Sequence, residues 1–174
     1  VTPDYSTNAV YRVDSAGAIG TLYAGPLLTG PSGVTATRSG DVVVADFGSN
    51  SLVRIDAATG TATRFATNVG GPLRLCEDFD GSFVLTSNSG RSLLRVQQNG
   101  QTTTVASGPP FNRPYDVSLD WNGDYLVADD YAPGVFRVTP AGVITPIRIG
   151  LPLRLPQGIA LFPSGDYAVI DGIT

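Results

Sequence analysis

The sequence predicts an all-β chain, a β-propeller with four-stranded blades of about 42 residues, and two observations support this prediction. A fixed period of roughly 40 to 50 residues is typical of repeat architectures, including propellers. The first observation is a proline that recurs 41, 42 and 42 residues apart, at Pro31, Pro72, Pro114 and Pro156. The second is an apolar run that ends 15 residues after each proline, at Asp46, Ser87, Asp129 and Asp171.

The first two strands of each repeat are predicted from two apolar runs with a glycine turn between them. Asp-Gly and Asn-Gly pairs tolerate positive φ and therefore favour a tight hairpin. The four turns contain Ser39-Gly40, Asp80-Gly81, Asn122-Gly123 and Ser164-Gly165. We therefore expect an antiparallel hairpin at the start of every repeat.

The third and fourth strands are predicted from an arginine in an apolar run and a second glycine turn. We expect these arginines to be structural, with their stems packed along the sheet. They follow the end of the second strand by eight residues, at Arg12, Arg54, Arg95 and Arg137. We also expect the aspartates that end the second strands to be structural, because their carboxylates can accept hydrogen bonds from backbone N–H groups of the following loop.

The repeats divide the chain into one domain, residues 1–174, that begins and ends inside a blade. The expected units are a partial blade at 1–30, blades at 31–71, 72–113 and 114–155, and a partial blade at 156–174. The first unit is expected to hold the third and fourth strands of a blade, and the last unit the first and second strands of a blade. The two half-blades could therefore pair, which would give the chain four blade-equivalents. The alternatives are a stretch of a larger propeller, which the absence of methionine favours, and a half-ring completed by a second copy in a homodimer.

Residues 31–55 carry the clearest family signature. Their sequence, PSGVTATRSGDVVVADFGSNSLVRI, resembles the NHL-repeat family of β-propellers. The resemblance implies the propeller fold but no single activity, since similar propellers include binding domains, receptor sensor domains, gluconolactonase-like enzymes and streptogramin lyases. It also implies an extracytoplasmic or secreted location, with which a surface rich in Thr, Ser and Gly agrees.

The composition excludes several kinds of chemistry. The chain has no histidine, which rules out a Ser-His-Asp triad and a histidine-based zinc site within it. All 11 basic residues are arginine, so Schiff-base catalysis by lysine is excluded as well. A net charge of −4 without a basic run disfavours nucleic-acid binding, and no apolar run is long enough for membrane insertion.

The innermost strand of each blade supplies the candidate ligand-binding residues. Its third residue is glycine in two repeats and charged in the others, Arg74 and Asp116. Arg74 could hold a carboxylate of a ligand, or it could form an inter-blade ion pair with Asp116. We expect the protein to bind no cofactor. The alternative is that it binds a Ca²⁺ ion. The carboxylates that would bind it are Glu77, Asp78 and Asp120.

Two further candidate ligand-binding features lie outside the innermost strands. The loops entering the innermost strands are apolar and carry Arg113, Arg148 and Arg154, so they could form a protein or peptide contact surface, or their leucines could seal the core. Trp121 could be a stacking platform for a sugar or an inter-blade packing residue. Cys76 is expected to be a buried, inert thiol.

These observations predict a non-catalytic binding or scaffold propeller. Its partner would be a protein, peptide or carbohydrate held on the loop face and at the mouth of the channel. The alternative is a metal-dependent lactonase or hydrolase that resembles the gluconolactonase-like propellers and uses the three carboxylates at the channel.

Overall fold

The computed structural model describes residues 1–172 as a series of antiparallel sheets. The N-terminal sheet contains β1 (Thr2–Asp4), β2 (Ala9–Val13) and β3 (Ile19–Ala24). The first complete blade contains β4 (Pro31–Ala36), β5 (Val42–Asp46), β6 (Ser51–Ile55) and β7 (Ala62–Thr67). The second contains β8 (Pro72–Glu77), β9 (Phe83–Ser87), β10 (Ser92–Val96) and β11 (Thr102–Ser107). The third contains β12 (Pro114–Leu119), β13 (Tyr125–Asp129), β14 (Gly134–Val138) and β15 (Ile144–Ile149), and the C-terminal hairpin contains β16 (Pro156–Leu161) and β17 (Tyr167–Asp171).

The four predicted hairpin turns are confirmed. Their glycines, Gly40, Gly81, Gly123 and Gly165, have φ values of 95°, 81°, 91° and 91°. In the second complete blade the Gly81 amide donates to Asp78 O at 3.0 Å, and the Asp78 amide donates to Ser82 O at 2.8 Å. Glycine is favoured at such a position because side chains with a Cβ rarely adopt these φ values.

Consecutive sheets bury each other's faces, as the propeller prediction requires. Along β5, Val42 and Val44 pack in the cluster shared with the N-terminal sheet, whereas Val43 and Ala45 pack in the cluster shared with the second complete blade. All four side chains are buried. The second strand is apolar on both faces because each face meets a different neighbouring sheet.

The N-terminal sheet holds one strand more than the sequence indicated. The additional strand, β1, pairs Asp4 with Ala9 just as β5 pairs Asp46 with Ser51, so β1 occupies the second-strand position of its sheet. The C-terminal hairpin also ends in a second strand, β17. The two terminal sheets share no strand pairing in the described residues.

The apolar loops before the innermost strands partly seal the core. Leu28, Val69 and Phe111 are buried in successive inter-blade clusters, and Leu153 packs against the last cluster. Leu151, in contrast, is exposed. Within residues 1–172, no helix has the length and apolarity needed to cross a bilayer.

Candidate functional site

A cavity of about 600 Å³ opens at the end of the channel where the prolines begin the innermost strands. We call this end the proline face and the opening the proline-face cavity. Its lining includes Ser32, Gly33, Arg74 and Tyr115 from the innermost strands and Tyr5 and Phe47 from loops beyond second strands. Aromatic rings, backbone polar groups and one cation thus share a single concave surface, which is the usual composition of a ligand site.

Arg74 brings to this cavity a positive charge that forms no ion pair among the described residues. Its guanidinium donates to the backbone carbonyls of Ser32 and, at 3.1 Å, Leu73, and its Cζ lies 5.2 Å from the centre of the Tyr115 ring. The ion pairs among the described residues involve Arg95, Arg113 and Arg137, and Arg74 takes part in none of them. The Arg74 charge therefore has no carboxylate partner in this part of the chain.

The alternative interpretation of Arg74, an ion pair with Asp116, is wrong for this structure. Arg74 turns back towards Ser32 in the preceding blade, whereas Asp116 turns forward and accepts a hydrogen bond from the Ile159 amide at 2.9 Å. The other Asp116 oxygen accepts from the Val117 amide at 2.9 Å. Burial raises the pKa of Asp116, and these two hydrogen bonds and the Arg74 charge oppose that rise.

The raised pKa of Asp116 gives an expected pH dependence. The folded state holds this proton more tightly than the unfolded chain, so the stability that protonation provides is lost as pH rises through the folded-state pKa. Asp116→Asn cannot lose a proton, and its free energy of unfolding should therefore increase relative to wild type as pH rises from about 4, the ordinary pKa of an aspartate, through the raised folded-state pKa. Urea unfolding of both proteins at several pH values measures this difference, and a difference that is constant with pH would contradict it.

Arg113 lies next to the cavity with its charge neutralised. Its Nε donates to Asp130 Oδ1 at 2.7 Å, and Gln157 Nε2 donates to Asp130 Oδ2 at 3.1 Å. The guanidinium also lies 3.7 Å from the centre of the Tyr131 ring. The sequence marks Asp130 and Tyr131 only through the break in the repeat pattern at residues 129–133, and it gives no signal for Tyr115 or Gln157.

The three predicted metal ligands are engaged with the protein itself. Asp78 accepts from Arg95 at 2.7 Å and from the Tyr125 hydroxyl at 2.6 Å. Asp120 forms an ion pair with Arg137, and Glu77 accepts from the Arg38 amide at 2.8 Å. No group of three or more His, Cys, Asp or Glu residues that could hold a metal ion occurs in residues 1–172. The predicted cation site is therefore not formed by these carboxylates, because arginines of the sheets neutralise two of them.

The remaining candidates lie apart from the proline-face cavity lining. Arg148 and Arg154 are exposed, and the Arg148 guanidinium donates to Leu151 O. Trp121 is exposed at the opposite end of the channel, beside a second cavity of about 340 Å³ that Cys76 also lines. Cys76 is half-buried, whereas the sequence predicted a buried thiol. Desolvation raises the pKa of this thiol to about 12, so it is protonated near neutral pH and a poor nucleophile, as expected.

Comparison with protein families finds an NHL repeat at residues 28–55. Comparison with the curated proteins gives no match.

Solved structures of propellers superpose on nearly the whole chain at low sequence identity. Virginiamycin B lyase from Staphylococcus aureus has a TM-score of 0.82 at 19% identity, and the match covers 96% of this chain and 57% of the lyase. The propeller in a nidogen/laminin complex has a TM-score of 0.82 at 15% identity, covering 95% of this chain and 67% of that one. A gluconolactonase-family structure has a TM-score of 0.65 at 21% identity, with coverages of 80% and 55%. The chain thus has a β-propeller fold and spans a little over half the length of the lyase.

Proposed function

We propose that this NHL-repeat-containing β-propeller is a non-catalytic binding module that holds a carboxylate-bearing segment of a peptide or protein in the proline-face cavity. The observation that carries the proposal is the Arg74 guanidinium, which faces the cavity without a carboxylate partner among the described residues. A guanidinium binds a carboxylate through charge-assisted hydrogen bonds, which are stronger than neutral ones.

The aromatic lining supports a peptide as the ligand. Tyr5, Phe47 and Tyr115 border the cavity together with Arg74, so apolar side chains and a carboxylate could be bound side by side. The similar fold in a nidogen/laminin complex supports a role in holding another protein.

Composition supports binding over lyase chemistry. A second similar structure of the Staphylococcus aureus lyase, with quinupristin, is that of a catalytically inactive variant in which one histidine is replaced by alanine. This chain contains no histidine at all. We therefore do not extend the lyase activity to it.

The proposal predicts that Arg74→Gln abolishes selective binding of acidic peptides. Wild-type protein screened against random seven-residue peptides should enrich sequences that contain Asp or Glu. For a selected peptide we expect Kd to rise at least about tenfold in Arg74→Gln, and by a similar factor when the peptide's carboxylate is changed to the amide.

Arg148→Gln is the matched control, because Arg148 is an exposed arginine that does not line the cavity. It should leave peptide affinity unchanged, and both variants should keep the wild-type Tm. If Arg148→Gln weakened binding and Arg74→Gln did not, the exposed loop patch rather than the cavity would be the binding site.

A further inference from the structure

Three exposed aromatic rings lie at the turns between first and second strands, at the end of the channel opposite the proline face. Phe79, Trp121 and Phe162 are 57%, 64% and 51% exposed, and they come from consecutive sheets. We call this end the turn face. Single exposed aromatic residues are common on protein surfaces, but three at equivalent turns of adjacent sheets form a continuous feature.

A cavity of about 340 Å³ lies beside the first two of these rings. Phe79 and Trp121 line it together with polar side chains, among them Thr35, Glu77 and Ser118. One Glu77 oxygen accepts from the Arg38 amide at 2.8 Å, which fixes the carboxylate at the cavity. The lining thus combines flat apolar surfaces with hydroxyl and carboxylate groups.

The two rings are positioned by contacts with neighbouring residues, among them Arg38 and Asp120 of the cavity lining. Trp121 Nε1 donates to Phe162 O at 3.4 Å, and the Trp121 amide donates to Asp120 Oδ1 at 2.6 Å. Arg38 lies 5.4 Å from the centre of the Phe79 ring and donates to Asp78 O at 2.6 Å. Rings that are already positioned lose little side-chain entropy when a ligand stacks on them.

We propose that the turn face is a carbohydrate-binding site that takes a neutral oligosaccharide of β-linked, glucose-like pyranoses. The C–H face of such a ring is flat and apolar and can stack on Phe79 or Trp121, while its equatorial hydroxyls reach outward to Glu77 and Ser118. The lining holds the cation Arg38 beside the carboxylates of Glu77 and Asp120, so it carries no excess positive charge that would favour an anionic sugar. The site is separate from the proline-face cavity, so this proposal does not depend on the proposed peptide binding.

Trp121 gives a direct spectroscopic test because it is the only tryptophan in the chain. The probes are cellohexaose, laminarihexaose, xylohexaose and chitohexaose, each titrated to millimolar concentration with selective excitation of tryptophan. We expect at least one of them to produce a saturable blue shift of the emission as the indole leaves water.

Substitutions then identify the site. Phe79→Ala keeps the fluorescent residue, and it should raise the Kd for the sugar at least about tenfold. Trp121→Ala removes that residue, so its sugar affinity is measured by calorimetry, and its Kd should rise by a similar factor. Arg74→Gln, on the opposite face, and Tyr131→Ala, an exposed aromatic residue outside this cavity, should leave the sugar affinity unchanged. The proposal is overturned if none of the four sugars gives a saturable response, or if the response persists unchanged in both Phe79→Ala and Trp121→Ala.

Discussion

Asp129→Ala should lower the free energy of unfolding by about 3 to 5 kcal/mol. Asp129 is fully buried, and its carboxylate accepts four backbone N–H groups from two different loops. The donors in the entering loop are Asn112 at 2.8 Å and Arg113 at 2.9 Å. Those in the following loop are Tyr131 at 3.1 Å and Ala132 at 2.8 Å. Alanine would leave these donors without their acceptor, and each buried unsatisfied group costs about 1 to 3 kcal/mol, part of which water can recover.

Asp4 provides the matched control, since it occupies the same position of its own sheet. Its carboxylate accepts only from the following loop, from the Ser6 amide at 2.9 Å and hydroxyl at 2.6 Å and from the Thr7 amide at 3.4 Å. These contacts are exposed, so we expect Asp4→Ala to cost much less than Asp129→Ala.

Urea unfolding at neutral pH measures both losses. If Asp129→Ala does not fold, Asp129→Asn should show an intermediate loss, because the amide keeps one acceptor oxygen and turns its NH₂ towards other donors. Equal losses for Asp4→Ala and Asp129→Ala would show that the four hydrogen bonds do not stabilise the fold.

Asp78→Ala should lower the free energy of unfolding by about 2 to 4 kcal/mol. The Asp78 carboxylate accepts from Arg95 in its own blade and from the hydroxyl of Tyr125 in the next blade, and it also accepts from the Phe79 amide at 2.6 Å. Burial and the hydrogen bond to Asp78 raise the pKa of Tyr125, so the hydroxyl remains a donor across the neutral range. Without Asp78, the buried Tyr125 hydroxyl loses its acceptor, and the partly buried Arg95 guanidinium loses its ion-pair partner and keeps only the Tyr125 oxygen as an acceptor.

Two variants separate this structural role from a metal-binding one. Tyr125→Phe removes two hydrogen bonds, the one donated to Asp78 and the one accepted from Arg95, and keeps the ion pair. It should therefore cost about 1 to 2 kcal/mol, and Glu77→Gln should cost less than about 0.5 kcal/mol. Adding Ca²⁺ should leave the Tm of wild type and Asp78→Ala equally unchanged. A Ca²⁺-dependent rise in Tm that is present in wild type and lost in Asp78→Ala would restore Asp78 as a cation ligand.

The structural features that the sequence predicted correctly are those that depend on residues close together in the chain. Each repeat's proline begins an innermost strand, at Pro31, Pro72, Pro114 and Pro156, and each predicted turn glycine has positive φ. A tight turn depends on a few adjacent residues. A pattern that recurs along the chain is also easier to recognise than one that occurs once. The exception is β1, a strand of three residues, which has no complete repeat around it from which to be recognised.

The partners of the charged side chains could not be predicted from the same pattern. The alignment places Arg74 and Asp116 in one column of adjacent blades, but it does not say that one side chain turns back and the other forward. The repeat pattern likewise does not explain why the second strand of the second complete blade ends in Ser87, where the other repeats have aspartate. The structure supplies a reason, since the entering loop there presents the carbonyl of Gly70, to which the Ser87 hydroxyl donates at 2.6 Å.

The position of Arg74 depends on the absence of a side chain in the blade before it. A Cβ atom at Gly33 would lie 2.6 Å from Leu73 O, closer than real Cβ atoms approach other atoms, and at a tight 3.0 Å from Arg74 Cα. Glycine at position 33 is therefore what lets these two innermost strands approach so closely. A side chain at position 33 would push the backbone of Leu73 and Arg74 away from the first complete blade. The place of the Arg74 guanidinium in the proline-face cavity is thus set by a residue of the preceding blade as well as by its own.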